Sequence, residues 1–330
     1  MRTHLVTGVS GQDGVLLARL LLARGDHVLG TVLPGSDNPL LTYLDGVEVV
    51  EHDVRDADGF AALLEQHRPQ AVHNLAALTS VGASWDAQDE VRAVNQLAVE
   101  DMVDVLRHLG PKAPRFVQAS TTEIFGRAAG PGSVVDATTP LAPLSPYAEA
   151  KAAAHRAVQR ARADGIGATN LVLFGHTSVL QAPHFVLPTV TEQAAEVGRG
   201  LRDELTLRDP SVCRDWGSAG DFVRAFDAAS SGDGGDYVIG TGMLHRLGEI
   251  AAWALAAVSA VDRAASTSGE RARPGDFDGI RADPSVAARA LGWTAQIDLR
   301  TEIEHMVRVA AQRIQTETEH DPAYLEEDWA

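Results

Sequence analysis

The amino-acid sequence predicts an α/β protein with a doubly wound parallel sheet and a smaller C-terminal lobe. Short apolar runs alternate with helical periodicity through the first half of the chain, and a glycine-rich turn directly follows the first run. The alternation ends after Phe174. Because strands that alternate with helices form βαβ units, the strands are expected to pair in parallel.

The first half contains six strand-like runs with helices between them. The runs cover residues 3–7, 27–32, 47–51, 71–75, 115–119 and 169–174. Helical spacing of apolar residues covers 14–24, 58–67, 91–109 and the alanine-rich segment 147–164. Since parallel strands need a crossover connection, these helices are expected to cover both faces of the sheet.

The second half is less regular and predicts a lobe added to the sheet. Helical patterns occur at 189–197, 221–229, 247–258, 283–292 and 299–314, and a strand-like run occurs at 236–240. We expect residues 1–174 to form the sheet domain, with 219–243 returning to it. Residues 175–218 and 244–330 are then expected to form a substrate-binding lobe.

Composition limits the possible partners and compartments of the protein. The formal net charge of −17 over 330 residues argues against a nucleic-acid partner, which requires a basic face. Cys213 is the single cysteine, so no internal disulfide is expected. No apolar run approaches the roughly 20 residues of a membrane span, and the first residues enter a folded motif at once. These features predict a cytoplasmic protein without a membrane partner.

The glycine motif Gly8-x-x-Gly11-x-x-Gly14 follows the first strand and precedes the first helix. Glycine lets the backbone turn tightly and approach a pyrophosphate, which then rests on the helix N-terminus. In this context the motif predicts a Rossmann-type domain that binds NAD or NADP. The spacing is typical of short-chain dehydrogenases/reductases.

The residues after the second strand leave the choice of cofactor open. An acid at this point accepts the ribose hydroxyls of NAD, and an arginine pairs with the extra phosphate of NADP. The segment 30–38 carries neither residue at the expected place. Asp53, after the third strand, is expected to contact the adenine, with a plain surface acid as the alternative.

The pair Tyr147 and Lys151 lies at the start of the alanine-rich helix. A phenol has a pKa of about 10 and is a poor base at neutral pH. A lysine four residues later lies on the same face of the helix, and its charge favours the phenolate. The pair predicts proton transfer to or from a hydroxyl or carbonyl, coupled to hydride transfer with a nicotinamide.

Polar side chains end the fifth strand in the segment Ser120-Thr-Thr-Glu123. The hydroxyls are suited to bind a substrate oxygen at the carboxyl edge of the sheet. Glu123 adds a carboxylate that a simple reductase or epimerase does not need. A dehydratase does need one, because it removes a proton from the carbon beside a ketone. A structural carboxylate is the alternative for this residue.

Several segments, in order along nearly the whole chain, resemble GDP-mannose 4,6-dehydratases of the extended short-chain dehydrogenase/reductase group. The matching segments are Thr7–Gly14, Asn74–Ala77, Val81–Trp85, Ser120–Glu123, Ser145–Ala148, Leu173–Ser178, Arg214–Gly217, Asp221–Val223, Arg273–Pro274 and Leu291–Trp293. The resemblance implies a lyase that converts a nucleotide-linked hexose, expected to be GDP-linked, to a 4-keto-6-deoxy sugar for deoxysugar biosynthesis.

The resemblance also implies a role for individual residues. Catalytic roles fall on Thr121, Glu123, Tyr147 and Lys151. Cofactor binding falls on Gly8, Gly11, Gln12, Asp13, Gly14, Asp53, Val54, Leu75, Ala76, Ala77, Tyr147 and Lys151. Substrate binding falls on Ser80, Thr122, His176, Arg214 and Arg273, with a structural role as the alternative for His176. We expect no metal site. We expect the protein to form a homodimer.

The chain departs from the family pattern at positions that bind phosphate. Where the family has Asn-His-Glu-Ser-Pro-Arg-Arg, this chain has Gly175-His-Thr-Ser-Val-Leu-Gln181, and Pro188 replaces a further arginine. The loop Val32–Gly35 lacks the paired arginines that hold the NADP phosphate. The resemblance favours NADP, but the arginines that bind its phosphate are missing, so the choice between NADP and NAD stays open.

Two other readings of the same motifs remain open. An epimerase of nucleotide sugars or a reductase of 4-keto sugars would use Tyr147 and Lys151 and tolerate loss of Glu123. A cofactor-binding protein without catalysis would need neither residue of the pair.

Overall fold

The structure is a computed structural model that describes residues 1–232, 234–260, 265–267 and 279–328. In chain order, the strands within these ranges are β1 Thr3–Thr7, β2 His27–Val32, β3 Glu48–Glu51, β4 Ala71–Asn74, β5 Arg115–Thr121, β6 Val134–Val135, β7 Ala168–Leu173, β8 Gly175–Thr177, β9 Leu205–Leu207, β10 Cys213–Arg214, β11 Trp216–Ser218, β12 Gly235–Ile239, β13 His245–Arg246, β14 Ala265–Thr267 and β15 Arg281–Ala282. Seven of them form the central sheet.

The α-helices in the same part of the chain connect these strands. They are α1 Gln12–Ala23, α2 Ala57–His67, α3 Gln88–Arg92, α4 Ala98–Leu109, α5 Pro146–Ala163, α6 Val186–Gly198, α7 Ala219–Ala229, α8 Leu247–Ala257, α9 Ser285–Leu291 and α10 Leu299–Thr316. Among the helices that the structure describes, none combines the length and the apolar character that crossing a membrane requires.

The central sheet is parallel throughout, with the order β12-β7-β5-β4-β1-β2-β3. The predicted doubly wound α/β fold is therefore confirmed. The chain winds outward from β1 in one direction through β2 and β3, and in the other through β4, β5 and β7. The point between β1 and β4, where the direction reverses, is where such sheets bind ligands beyond the carboxyl ends of the strands.

Two apolar layers cover the two faces of this sheet. On one face α1 packs beside α7, and the buried core there includes Leu17 and Phe222. On the other face α4 packs against α2 and α5 around Met102 and Phe116. Because helices cover both faces, inner strands such as β1 and β7 are buried along nearly their whole length, which explains why their apolar residues do not alternate with exposed polar ones.

The later part of the chain adds a lobe in which α6, α8 and α10 pack together. Buried Asp215 connects this lobe to the end of the sheet through hydrogen bonds. Its carboxylate accepts hydrogen bonds from the backbone N–H groups of Thr241 (2.9 Å), Gly242 (2.8 Å) and Ala282 (3.0 Å). One side chain thus joins its own segment to two others, at residues 241–242 and at Ala282.

The predicted helix over 91–109 is wrong in one detail, because a π-helical turn at Ala93–Leu97 separates α3 from α4. Buried Asn95 lies in this turn. Its Oδ1 accepts a hydrogen bond from the Leu78 N–H at 2.9 Å, and its Nδ2 donates to the Leu78 carbonyl at 2.8 Å. The wider turn directs this amide at the loop after β4, and that contact was not visible in the apolar pattern.

Candidate active site

A cleft of about 710 Å³ lies between the carboxyl edge of the sheet and the lobe. Most residues that the sequence singled out line it together. They are Gly8, Gly11, Gln12, Asp13, Gly14, Leu75, Ala76, Ala77, Thr121, Thr122, Glu123, Tyr147, Lys151, His176 and Arg214. The fold thus collects residues from the first half of the chain with two from the lobe.

Four of the predicted site residues are not among the residues that line this cleft. The Asp53 carboxylate accepts hydrogen bonds from the Arg55 guanidinium, and Val54 packs in the apolar layer on the α4 side. The Ser80 hydroxyl accepts from the Ala83 N–H at 3.2 Å. Arg273 lies outside the described residues. Their assigned roles remain predictions.

The glycine turn between β1 and α1 forms one end of the cleft. Gly8 has a φ of +65°, and a Cβ there would lie 2.9 Å from the backbone nitrogen of Ala76. A Cβ on Gly14 would lie 2.5 Å from the Gly8 carbonyl oxygen. Gly11 precedes α1 and has no side chain to cap its first N–H groups. This close approach and the uncapped helix start fit a dinucleotide pyrophosphate.

Helix α5 carries Tyr147 and Lys151 into the cleft. It begins after Ser145, whose Oγ accepts a hydrogen bond from the Ala148 N–H at 3.2 Å, and Pro146 occupies the first helical position. A serine cap followed by a proline is a common way for a helix to begin. Lys151 Nζ donates to the Ala119 carbonyl at 3.1 Å, which links the helix to the end of β5.

Burial affects the acidity of both side chains strongly. It raises the pKa of Tyr147 to about 12, although a hydrogen bond with Thr121 acts in the opposite direction. The negative charge of Glu123 raises the pKa of Tyr147 further. Burial also lowers the pKa of Lys151 to about 8. At neutral pH the protein alone therefore keeps Tyr147 protonated and leaves most of Lys151 charged.

The end of β5 brings a carboxylate to the same place. Thr121 is the last residue of the strand, and its Oγ1 accepts a hydrogen bond from the Glu123 N–H at 3.3 Å. A 3-10 turn over Thr122–Ala128 follows and is buried behind Glu123 at Ile124. The cleft therefore holds a phenol and a carboxylate that are both able to exchange protons with one ligand.

His176 forms an ion pair with Asp13 rather than standing alone in its loop. The distance from His176 Nε2 to Asp13 Oδ2 is 3.0 Å, and His176 Nδ1 donates to the Phe174 carbonyl at 2.7 Å. Burial lowers the pKa of His176, but the charge and hydrogen bonds of Asp13 outweigh it, so the net pKa is raised. The Ser178 hydroxyl donates to Gln12 Oε1 at 2.9 Å. The lobe is thus joined to the glycine turn by two side-chain contacts.

Sequence reasoning missed a second group of residues that line the cleft. They are Ser10, Asn38, Leu40, Thr79, Ala119, Leu173, Phe174, Gly175, Leu180, Gln181, Ala182, Phe185, Val186, Leu187, Asp215, Trp216 and Ile280. Most are apolar and form the wall on the lobe side. Ser10, Leu173, Phe174, Gly175, Asp215 and Trp216 lie in segments that resemble the family, and Leu180 and Gln181 lie in a segment that departs from its pattern. The others belong to no sequence motif, and the fold alone brings them to the cleft. Ser120, whose hydroxyl the sequence analysis expected to bind a substrate oxygen, lines the cleft as well.

Comparison with known proteins agrees with this geometry. The sequence model of the family described as GDP-mannose 4,6 dehydratase matches residues 5–306. The chain is 31% identical to GDP-mannose 4,6 dehydratase 1 of Arabidopsis thaliana, over 92% of this chain and 88% of that protein. It is 29% identical to GDP-mannose 4,6-dehydratase of Vibrio cholerae, over 92% of both chains.

Solved structures of similar fold include two UDP-glucose 4-epimerases. The Thermus thermophilus enzyme, solved with NAD, has a TM-score of 0.78 and 27% identity over 93% of this chain and 98% of that chain. The Thermotoga maritima enzyme, solved with UDP-glucose, has a TM-score of 0.82 and 22% identity over 95% and 99%. The second supports the fold alone.

Proposed function

The chain belongs to the GDP-mannose 4,6-dehydratase family, and we propose that it removes water from a nucleotide-linked hexose to give a 4-keto-6-deoxy sugar. The observation that carries this proposal is the position of Glu123 beside Tyr147 in one cleft. The two groups are close enough for the carboxylate charge to raise the pKa of the phenol. Epimerisation or reduction at C4 requires Tyr147 and Lys151 but no second proton acceptor such as Glu123.

Each side chain has a distinct task in this reaction. A nicotinamide cofactor held at the glycine turn of Gly8, Gly11 and Gly14 would supply reversible hydride transfer, from C4 and later to C6 of the sugar. Tyr147, held by Thr121, must first lose its own proton before it can accept that of the 4-hydroxyl, and the positive charge of Lys151 favours this charged form of the phenol. Glu123 removes the C5 proton, which the neighbouring ketone has made acidic, and gives it to the C6 hydroxyl, which leaves as water. When hydride reaches C6, Tyr147 returns the proton of the 4-hydroxyl to C5, which restores the charged phenol. The cleft residues therefore provide one proton acceptor for each bond that must lose a proton.

We propose NAD as the cofactor of this chain. The segment that follows β2, Leu33 to Tyr43, contains no lysine or arginine. At this point the Gly35 N–H donates a hydrogen bond to Glu51 Oε1 at 3.0 Å, and Glu51 ends the neighbouring strand β3. A ribose phosphate here would face a carboxylate without a compensating cation on that loop, which disfavours NADP.

The substrate is proposed to be a nucleotide diphosphate hexose, with the GDP-mannose of the named relatives as the first compound to test. Arg214 lines the cleft and is suited to a diphosphate oxygen. Leu180 and Gln181 line it where the family pattern has arginines. This wall of the cleft therefore carries fewer cations than the family pattern does. We expect the contacts that the substrate makes there, apart from Arg214, to be largely apolar.

Mass spectrometry of nucleotide sugars incubated with the protein and either NAD or NADP tests the function and the cofactor together. We expect one compound to lose the mass of one water, and NAD to support this reaction better than NADP. An isomer of unchanged mass would favour the epimerase instead. Turnover of 4-keto sugars only, with consumption of reduced cofactor, would favour the reductase. Faster reaction with NADP would contradict the cofactor proposal alone.

A further inference from the structure

Helix α5 continues its polar face one turn beyond Lys151. Tyr147, Lys151 and His155 follow one another at intervals of four residues, so all three lie on one face. His155 does not line the cleft, and only 3% of its surface is exposed. Its Nδ1 lies 3.2 Å from the Oγ of Ser120, a residue of β5 that is 4% exposed and does line the cleft.

A chain of buried polar groups fixes the proton position on His155. Gln159 Nε2 donates to Asp236 Oδ2 at 2.8 Å and lies 3.2 Å from His155 Nε2. Because an amide nitrogen can only donate, His155 Nε2 must accept, and its proton therefore resides on Nδ1. His155 then donates this proton to the oxygen of Ser120.

Asp236 anchors the far end of this chain. Its carboxylate also accepts hydrogen bonds from Arg162 Nη2 at 2.8 Å and from Asn170 Nδ2 at 2.9 Å. Asn170 Nδ2 reaches the His155 backbone carbonyl at 3.1 Å as well. With strands β7 and β12 holding the carboxylate, the imidazole has little freedom to turn away from Ser120.

Ser120 occupies the one position of β5 that lies between the partners of the proposed catalytic pair. Ala119 precedes it and accepts the hydrogen bond from Lys151. Thr121 follows it and shares a hydrogen bond with Tyr147. A contact that fixes Ser120 against α5 therefore fixes both of these partners at their distances from the helix.

We propose that His155 is a positioning residue that, through Ser120, holds Tyr147 and Lys151 in register with their hydrogen-bond partners on β5. The expected loss of enzymatic rate rests on the proposed function, but the expected change in the surroundings of Lys151 does not. Without His155, helix and strand can shift relative to each other, and water can enter beside Lys151. We then expect a larger effect on the rate of the catalysed reaction than on the binding of substrate.

The charges around His155 favour the neutral ring that this arrangement needs. Burial lowers the pKa of His155; Asp236 acts in the opposite direction, and Arg162 and Arg156 add to the lowering. A second proton would place an N–H of the ring against the N–H of Gln159. The hydrogen-bond chain therefore holds only while the ring is neutral.

The chain contains only two lysines, Lys112 and Lys151, which makes the test direct. In full-length protein labelled with ¹³C at lysine Cε, NMR should give one signal for each lysine, with exposed Lys112 as the internal reference. Lys151 should titrate at about 8 in the wild type. In His155→Ala its pKa should rise by about half a unit or more, because water enters beside the ammonium group.

Activity should change in parallel with this titration. We expect kcat of His155→Ala to fall roughly tenfold while KM changes less than about twofold, as for a misplaced catalytic group. Ser120→Ala removes the same hydrogen bond between His155 and Ser120, so it should reproduce both the rise in the Lys151 pKa and the fall in kcat. His155→Gln should restore much of both, because its amide can donate to Ser120 and accept from Gln159.

Val158→Ala is the matched control, since Val158 is fully buried in α5 but packs in the apolar layer around Phe116. It should lower the melting temperature and leave the Lys151 titration unchanged. If His155→Ala behaves in the same way, or if His155→Gln restores neither property, the positioning role is wrong. Because the titration needs no substrate, it decides this proposal even if the proposed function fails.

Discussion

Tyr147 and Lys151 show how a buried site changes the properties of ordinary side chains. Burial favours the uncharged form of each group, so it raises the pKa of Tyr147 to about 12 and lowers that of Lys151 to about 8. Thr121 partly opposes the first effect through its hydrogen bond. The phenol therefore depends on its neighbours for any increase in acidity, which makes the placement of those neighbours decisive.

Glu123→Gln tests the residue that separates dehydration from simpler chemistry. The amide cannot take the C5 proton, so water loss should fall by about 10²-fold or more, the usual contribution of a general base. Reduced nicotinamide should still form in a single turnover, measured by its near-ultraviolet absorbance, while mass spectrometry shows no dehydrated sugar. Tyr147→Phe is the matched comparison and should form neither. Full water loss by Glu123→Gln would refute the dehydration mechanism.

At the scale of single elements, two connections shape the cleft. The turn from β1 into α1 is tight enough that glycine is required at Gly14, and its helix start is left uncapped by Gly11. The end of β5 turns into a 3-10 segment that places Glu123 in the cleft beside α5. Both connections lie at the carboxyl edge of the sheet, because parallel strands all end there.

Gly14→Ala tests the turn itself. The added Cβ would lie 2.5 Å from the Gly8 carbonyl oxygen and 2.7 Å from Val9 Cα, so the backbone must move. We expect cofactor affinity, measured by calorimetry, to fall tenfold or more, with about 1–3 kcal/mol of overpacking cost in unfolding free energy. Gly130→Ala is the control, because no atom lies within 4 Å of its Cβ position. Equal affinities in the two variants would show that the turn does not hold the cofactor.

At the scale of the whole molecule, a few buried carboxylates assemble the lobe on the sheet. Asp215 joins segments around Thr241 and Ala282. Asp221 accepts hydrogen bonds from the N–H groups of Gln296 and Ile297, both at 2.8 Å. Asp13 joins the glycine turn to His176 in the lobe. The two sides of the cleft are therefore connected by polar contacts as well as by apolar packing.

Asp215→Ala tests this assembly. It would leave the backbone N–H groups of Thr241, Gly242 and Ala282 without this acceptor, at a cost of about 1–3 kcal/mol for the buried Ala282 N–H and less for the two half-buried ones. We expect the free energy of unfolding at neutral pH, from urea denaturation, to fall by about 2–4 kcal/mol. Asp209→Ala removes a carboxylate whose partner is nearby Ser211, and should change stability little. A small effect for Asp215→Ala would mean that apolar packing alone holds the lobe.

The pH dependence of the Asp215 contribution has a definite sign. Burial raises the pKa of this carboxyl group above its usual value, although its hydrogen bonds from Thr241, Ala282 and Gly242 oppose the shift. The folded state then holds the proton over a pH range in which the unfolded state has lost it. In the wild type, the free energy of unfolding should therefore decrease as pH rises through that range. In Asp215→Ala, this contribution to the pH dependence of the free energy of unfolding should be absent.

The sequence by itself determined the sheet and the motifs that line the sheet side of the cleft. Apolar periodicity is a local property, so the strands His27–Val32 and Ala71–Asn74 were found to within one residue. The glycine turn and the spacing of Tyr147 and Lys151 are local as well, because a turn and a helix fix their own geometry. These patterns also carried the resemblance to the family.

Only the tertiary structure decided which distant residues meet. His155 contacts Ser120 and His176 contacts Asp13 across 35 and 163 positions of the chain, and neither pair has a sequence pattern. The π-helical turn at Asn95 depends in the same way on the backbone of Leu78. Such contacts are set by how helices and strands pack, and packing depends on the whole chain rather than on the spacing of neighbours.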